Sequence, residues 1–305
     1  MDSESRESVW RGRLLLIVAA VLWSTSGFFA KAPIFADWPV ETRGTALAFW
    51  RAFFAAGVLI FFVRKVQWSR RLLPMITIFA LMNWTYLSGM VYCEASLAIW
   101  LQYTSPAWVF LISWLLWHEK PKRKDWVLLA FASVGVTVIL WAELSGASSK
   151  GVLYGLASGV FFAGVVVSLR QLRDLDAAWL IFLNHAVTAL LFCPSVVTSE
   201  TSWPSGSQWI YLALFGGLQM GLPYVLFAKG LKSISSHEAS GISLLEPILV
   251  PLWVFIAWRT AEDYQYPAIT TLVGAALILA GLIVSLERPK DSIRKTEANG
   301  DEPQL

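Results

Sequence analysis

Three ionisable side chains stand inside long apolar runs: Arg51 in ALAFWRAFFAA, His185 in LIFLNHAVTAL and Glu246 in LEPILVPLW. A charged group at the centre of a membrane helix costs roughly 2.5–3.5 kcal/mol on insertion scales, so each needs a reason. For Arg51 the reasons are structural, in snorkelling or bonding the carbonyls of a broken helix, or functional, as an anion or gate contact. His185 reads as a packing histidine or as a proton carrier, because imidazole titrates near neutral pH in water. Glu246 directly precedes Pro247, where a helix loses one backbone hydrogen bond. It shares a face with Ala239, Ser243 and Val250 at helical spacing. Its carboxyl has three open roles: touching a substrate, carrying a proton, or bracing the helix break. Trp23, Asn83, Gln102, Ser105, Asn184 and Tyr224 are further polar or amphipathic groups within the runs, and Gln219 is a weaker candidate.

The elements that must position these groups come in pairs. Gly89 to Pro106 registers without a gap on Gly230 to Pro247, 141 positions later, so Pro106 falls on Pro247 and Ser105 on Glu246. Each stretch begins with a small-residue turn, continues as an apolar helix interrupted by proline, and reaches an acidic residue, Glu119 or Glu262. Lipid tolerates such a proline where neighbours or cavity water satisfy the freed carbonyl. Paired proline-interrupted helices at matching places in two halves are the best sequence pointer to a transport site. Gly12 likewise falls on Gly151, and Arg51 falls on His185 at an offset of 134.

Composition agrees. The 305 residues are 56% hydrophobic and 15% charged, with mean hydropathy +0.58, far from a soluble domain. Ten runs approach the ~20 residues that cross a bilayer as helix, near 13–31, 44–63, 72–91, 95–117, 125–142, 151–169, 177–197, 207–228, 239–258 and 267–286. Strand alternation is absent, which excludes a membrane β-barrel. The expected fold is therefore an all-α membrane protein. It divides into one five-helix repeat over 13–144, a second over 150–287 and a polar cytoplasmic tail over 288–305.

With alternating spans and a cytoplasmic N-terminus, cytoplasmic segments hold 19 of the 24 Lys and Arg residues. They are the start of the chain, 64–71, 120–124, 170–173, 229–232 and the tail. The positive-inside rule selects that orientation, with both termini cytoplasmic. Five spans per half is odd, so the second repeat enters from the other side, giving an inverted-topology 5+5 arrangement. Glycines at i, i+4 and i+8, as in Gly151, Gly155 and Gly159, read as close helix contacts. Tryptophans at span ends, including Trp38, Trp68, Trp126, Trp203 and Trp209, read as interfacial anchors.

The doubled Ala98…Pro106…Glu119 and Ala239…Pro247…Glu262 pattern, with the arginine of FWRAFFAA opening the second span, resembles the EamA domain pair. The resemblance covers about residues 13–286 and implies the ten-helix drug/metabolite transporter superfamily. One departure is that proline and glutamate lie 13 positions apart in the first copy and 15 in the second. The family implies alternating access around a cavity lined mainly by spans 1–4 and 6–9, with the fifth of each half peripheral. The expected function is secondary transport, in the export direction, of small metabolites across the cytoplasmic (inner) membrane, with protons as the candidate coupling ion. The alternatives are a lipid-linked substrate flippase or membrane sensor, and an intramembrane enzyme using His185 and Glu246. The last lacks an HExxH or GxSxG motif, and no P-loop supports an ATP-driven pump. The expected partners are a small-molecule substrate and the lipid bilayer. No cofactor, metal or nucleic acid is expected, and monomer and homodimer both remain open.

Overall fold

Lipid offers no hydrogen bonds, so a chain of this composition satisfies its backbone within helices. The computed structural model describes residues 3–118, 122–143, 149–199, 203–234, 236–262 and 264–286. Among these residues there is no strand, and ten helices are long and apolar enough to cross a membrane. Spans 1 to 5 are Glu7–Ala30, Val40–Phe62, Leu72–Tyr92, Ala95–Leu116 and Arg123–Ala142. Spans 6 to 10 are Ser149–Gln171, Ala177–Val197, Gln208–Gly230, Glu238–Trp258 and Ile269–Leu286. Glu119 and the tail at 288–305 lie outside the described residues.

Four spans depart from regular α-helix in their interior, and span 2 ends in a 3-10 turn at Ile60–Phe62. Span 4 divides into Ala95–Gln102 and Ser105–Trp117, and span 9 into Ser236–Ser243 and Leu245–Trp258. Both breaks fall just before the aligned prolines. Span 1 breaks without proline, at Thr25 between Ser3–Ser24 and Ser26–Ala30. Ser24 and Thr25 turn their hydroxyls back onto the Val21 and Leu22 carbonyls at 2.6 and 2.7 Å, a competition with the helix ladder that bends it. Span 8 is π-helical over Leu214–Gly221. There a Cβ on Gly216 would stand 2.5 Å from the Arg51 carbonyl oxygen, so glycine permits span 8 to press onto the backbone of span 2.

The packing partners repeat when the halves are exchanged. Span 3 lies on span 6 and span 8 on span 1; span 4 lies on span 6 and span 9 on span 1; span 2 meets span 7, and span 5 meets span 10. Gly135 and Gly274 make the last contact intimate: a Cβ on either would lie 2.7 Å from the other's carbonyl oxygen.

Hydrogen bonds tie the span ends together on two faces. On one, Trp179 donates to the Gln67 carbonyl at 2.7 Å, Lys124 donates to the Ser285 carbonyl at 2.9 Å, and Arg13 pairs with Glu238. This is the basic face, which carries the loops at 64–71, 170–173 and 229–232. On the opposite face Gln208 donates to the Ile34 carbonyl and Trp258 to the Phe28 carbonyl, at 2.7 and 2.8 Å. Trp38 differs from its expected role as an interfacial anchor. It is 2% exposed and packs on Phe35 at 5.0 Å, because the short Pro33–Phe35 turn folds back over it. Trp68, at 68% exposed, stands free at the basic face.

Candidate functional site

The breaks and the π-helical segment surround a cavity of about 590 Å³. Spans 1, 2, 3, 4, 6, 8, 9 and 10 line it. One wall is apolar, built by Phe79 and Met82 of span 3, Phe162 and Val165 of span 6 and Phe227 of span 8. The polar wall is built from the irregular spans and span 2. A regular helix spends every backbone acceptor internally, so polar chemistry in lipid collects where a helix is interrupted.

Arg51 anchors that wall. It is 2% exposed, donates to Asn83 Oδ1, and lies over the rings of Phe215 and Tyr86 at 5.2 and 5.7 Å. Such ring faces attract a desolvated guanidinium. Asn83 is itself held by donating to the Ala48 carbonyl at 3.2 Å. The Arg51 Nε has no protein partner among the described residues. Tyr86 and Ser26 share a hydrogen bond of 2.8 Å. Gln219 donates to the Trp23 carbonyl at 2.9 Å, and Trp23 packs edge-on against Tyr224.

Glu246 also lines the cavity, in the first turn of Leu245–Trp258. Its Oε2 accepts from the Tyr103 hydroxyl at 2.9 Å. Tyr103 stands in the break of span 4 and also lies 3.0 Å from the Ser243 carbonyl. The two broken spans therefore meet through one phenol. The wall thus offers a guanidinium, a carboxyl and several hydroxyls and amides beside aromatic surface. Groups of these types can hydrogen-bond and stack a small polar or amphipathic solute.

Trp23, Arg51, Gln102, Ser105, Pro106, Ser243, Tyr224 and Glu246 all line the cavity. Pro247 is buried beside it, and Asn83 stands behind Arg51. His185 and Asn184 lie elsewhere, in a buried layer behind the wall. The imidazole meets Phe79 and Tyr224 edge-on at 4.9 and 6.1 Å, and neither ring nitrogen has a protein partner among the described residues. At the 141-residue offset Asn83 corresponds to Tyr224, so the Arg51–Asn83 pair is answered in the second half by His185–Tyr224. The place is repeated and the chemistry is not.

Sequence reasoning passed over Tyr103, Tyr86 and Ser26. Tyr103 carried a usable signal, since it sits three residues before Pro106, in the turn that proline enforces. Span 10 was expected to be peripheral, yet Leu282, Ser285 and Leu286 line the cavity. Away from the basic face, outside the cavity lining, Phe28 stacks on Trp258 at 5.0 Å and on Tyr211 at 6.3 Å. Toward the basic face the lining continues to Leu231 and Ser240, both exposed.

Ten apolar helices, with an internal cavity that carries polar groups on part of its wall, define a multi-pass integral membrane protein. The model of the EamA-like transporter family matches residues 10–141 and again 149–286, and the chain belongs to that family of transporters. An uncharacterized transporter of Archaeoglobus fulgidus is 25% identical over 279 residues, covering 90% of this chain and 96% of that one. The pseudopaline exporter CntI of Pseudomonas aeruginosa is 24% identical over 290 residues, covering 92% and 96%. A solved crystal structure shares the fold at TM-score 0.60 and 21% identity, over 90% of this chain and 96% of that one.

Proposed function

We propose that this protein is a secondary transporter that exports small metabolites across the cytoplasmic membrane by alternating access, with proton movement as the driving step. The observation that carries the reading is the cavity between the two halves, with Arg51 from the first and Glu246 from the second on its wall. In this reading the basic face is cytoplasmic, both termini included. The structure is then an inward-facing state, closed outside by Phe28, Trp258 and Tyr211. The halves form an inverted repeat. In support, Glu94 and Ala95 at the start of span 4 share a small pocket with Trp258 at the end of span 9, so the aligned spans run oppositely. The similarity to an exporter supports the outward direction.

The test is uptake into proteoliposomes of radiolabelled amino acids, nucleosides, sugars and organic acids, with and without an imposed pH gradient. One class should enter saturably and accumulate further when the gradient is applied. Transport of none of them, together with lipid scrambling, overturns the reading in favour of a flippase. The orientation has its own check. A cysteine at Ser205 should react with an impermeant reagent in intact cells, and one at Lys122 should not; the reverse pattern refutes it.

A further inference from the structure

The Tyr103 hydroxyl oxygen lies within reach of two acceptors in span 9: Glu246 Oε2 at 2.9 Å and the Ser243 carbonyl at 3.0 Å. Ser243 precedes Pro247 by four residues. In an unbroken helix its carbonyl would accept from the N–H of residue 247, and proline has none. Tyr103 comes to it from the other half of the molecule.

A phenol has one proton, so it makes one full-strength donation at a time. When Glu246 is ionised, the carboxylate takes that proton in a charge-assisted bond, the stronger of the two. The Ser243 carbonyl then loses its donor. When Glu246 is protonated, its own O–H donates to the Tyr103 oxygen, and the Tyr103 proton turns to the Ser243 carbonyl. The added proton comes from water in the cavity, rests on Glu246 and returns to water; Tyr103 keeps its own throughout. The halves are joined through Tyr103 by two hydrogen bonds in the protonated state and by one in the ionised state.

The other groups on the wall leave this arrangement to Tyr103. The titratable or charged residues facing the cavity are Arg51 from span 2, Tyr86 from span 3, Tyr103 from span 4, Tyr224 from span 8 and Glu246 itself. Spans 1, 6 and 10 bring none among the described residues. Arg51 is held by Asn83, Tyr86 shares its hydrogen bond with Ser26, and Tyr224 packs against Trp23.

We propose that Tyr103 is the positioning residue that converts protonation of Glu246 into capping of the open Ser243 carbonyl at the break in span 9. The proposal rests on the reading of Glu246 as the proton-carrying carboxyl of a transport cavity. It adds a relay across the two halves and a named backbone acceptor, Ser243.

Hydrogen exchange of the full-length protein in lipid nanodiscs tests it, followed as a function of pH in peptides spanning 236–258 and corrected for the intrinsic rate. In the wild type, amides at the break should exchange roughly three- to tenfold more slowly on the acid side of one titration step, the size of one hydrogen bond. Glu246→Gln should hold the slow level at every pH, since its amide donates to Tyr103 as the protonated acid does. Tyr103→Phe should lose the step. Pro247→Ala should also lose it with Tyr103 intact, because the restored N–H occupies the Ser243 carbonyl. That variant decides the matter if Tyr103→Phe does not fold, as judged by exchange in spans 3 and 6. A step of wild-type size in Tyr103→Phe, Pro247→Ala or Glu246→Gln overturns the proposal. A wild type without the step that still accumulates solute in a pH gradient overturns this proposal and leaves the transport reading standing. A wild type with the step that transports nothing does the reverse.

Discussion

Spans 4 and 9 carry the same proline break at the same register, yet one is clamped and the other is loose. All eight residues of Ala95–Gln102 are buried, and 61% of the apolar stretch of span 4 is covered. For span 9 the figure is 22%, and Ser240 and Gly241 ahead of its break are exposed. The neighbours make the difference. Span 4 presses on the glycine face of span 6, where a Cβ on Gly159 would meet the Leu101 carbonyl oxygen at 2.7 Å. Span 9 borders the mouth of the cavity, and a Cβ on Gly241 would meet nothing within 4 Å. Two like halves around a cavity open to one face cannot be packed alike. The half at the mouth is loose and the other is tight. Under the proposed alternating access they exchange these roles.

The comparison breaks first at its charged positions. Arg51→Ala should reduce solute uptake by roughly tenfold to a hundredfold, the loss of a hydrogen-bonded charge in a desolvated wall. Its counterpart His185→Ala sits behind Phe79 and Tyr224 and should leave uptake within about threefold, at a cost in stability of about 1–3 kcal/mol. Both are read from uptake normalised to folded, monodisperse protein. Equal transport losses would show that the two matched positions are not functionally distinct.

A second pair sharpens the contrast at the breaks. Glu246→Gln should retain substrate exchange and lose accumulation driven by a pH gradient, since glutamine imitates only the protonated acid. Ser105→Ala, at the aligned place in span 4, should keep both within about threefold, a neutral hydrogen bond being the most it can lose. Accumulation that persists in Glu246→Gln would move the coupling proton elsewhere.

The smallest effect concerns packing. Gly159→Ala forces backbone apart and should destabilise by about 1–3 kcal/mol. Gly241→Ala, at an exposed position of the helix Ser236–Ser243, should be neutral or stabilising by up to about 1 kcal/mol. Thermal unfolding in detergent measures both, and equal shifts would mean span 9 is as tightly held as span 4.

Much of the scaffold was legible in the residues. Nine spans begin and end within four residues of their hydropathy runs, span 1 starts six residues earlier than expected, and both prolines mark breaks. The break at Thr25 was not, because serine and threonine bend a helix only when their hydroxyls turn inward. The π-helical turn of span 8 was also hidden, since its glycines read equally as ordinary close contacts. Arg51 and His185 looked equivalent in sequence, and packing placed one on the cavity and the other behind it.

What the sequence by itself determined is what lipid enforces locally. About twenty apolar residues must close their own hydrogen bonds as helix, and a proline must leave one carbonyl open. Tertiary structure alone decided which polar groups meet. Tyr103 reaches Glu246 across 143 residues, and Gln219 reaches Trp23 across 196. Those meetings depend on how each helix is turned about its axis. In a membrane, the face toward lipid and the face toward protein are both apolar, so hydropathy does not record the turn. Only the close contacts of glycines and the demand of each buried polar atom for a partner set it, and both are properties of the packed molecule.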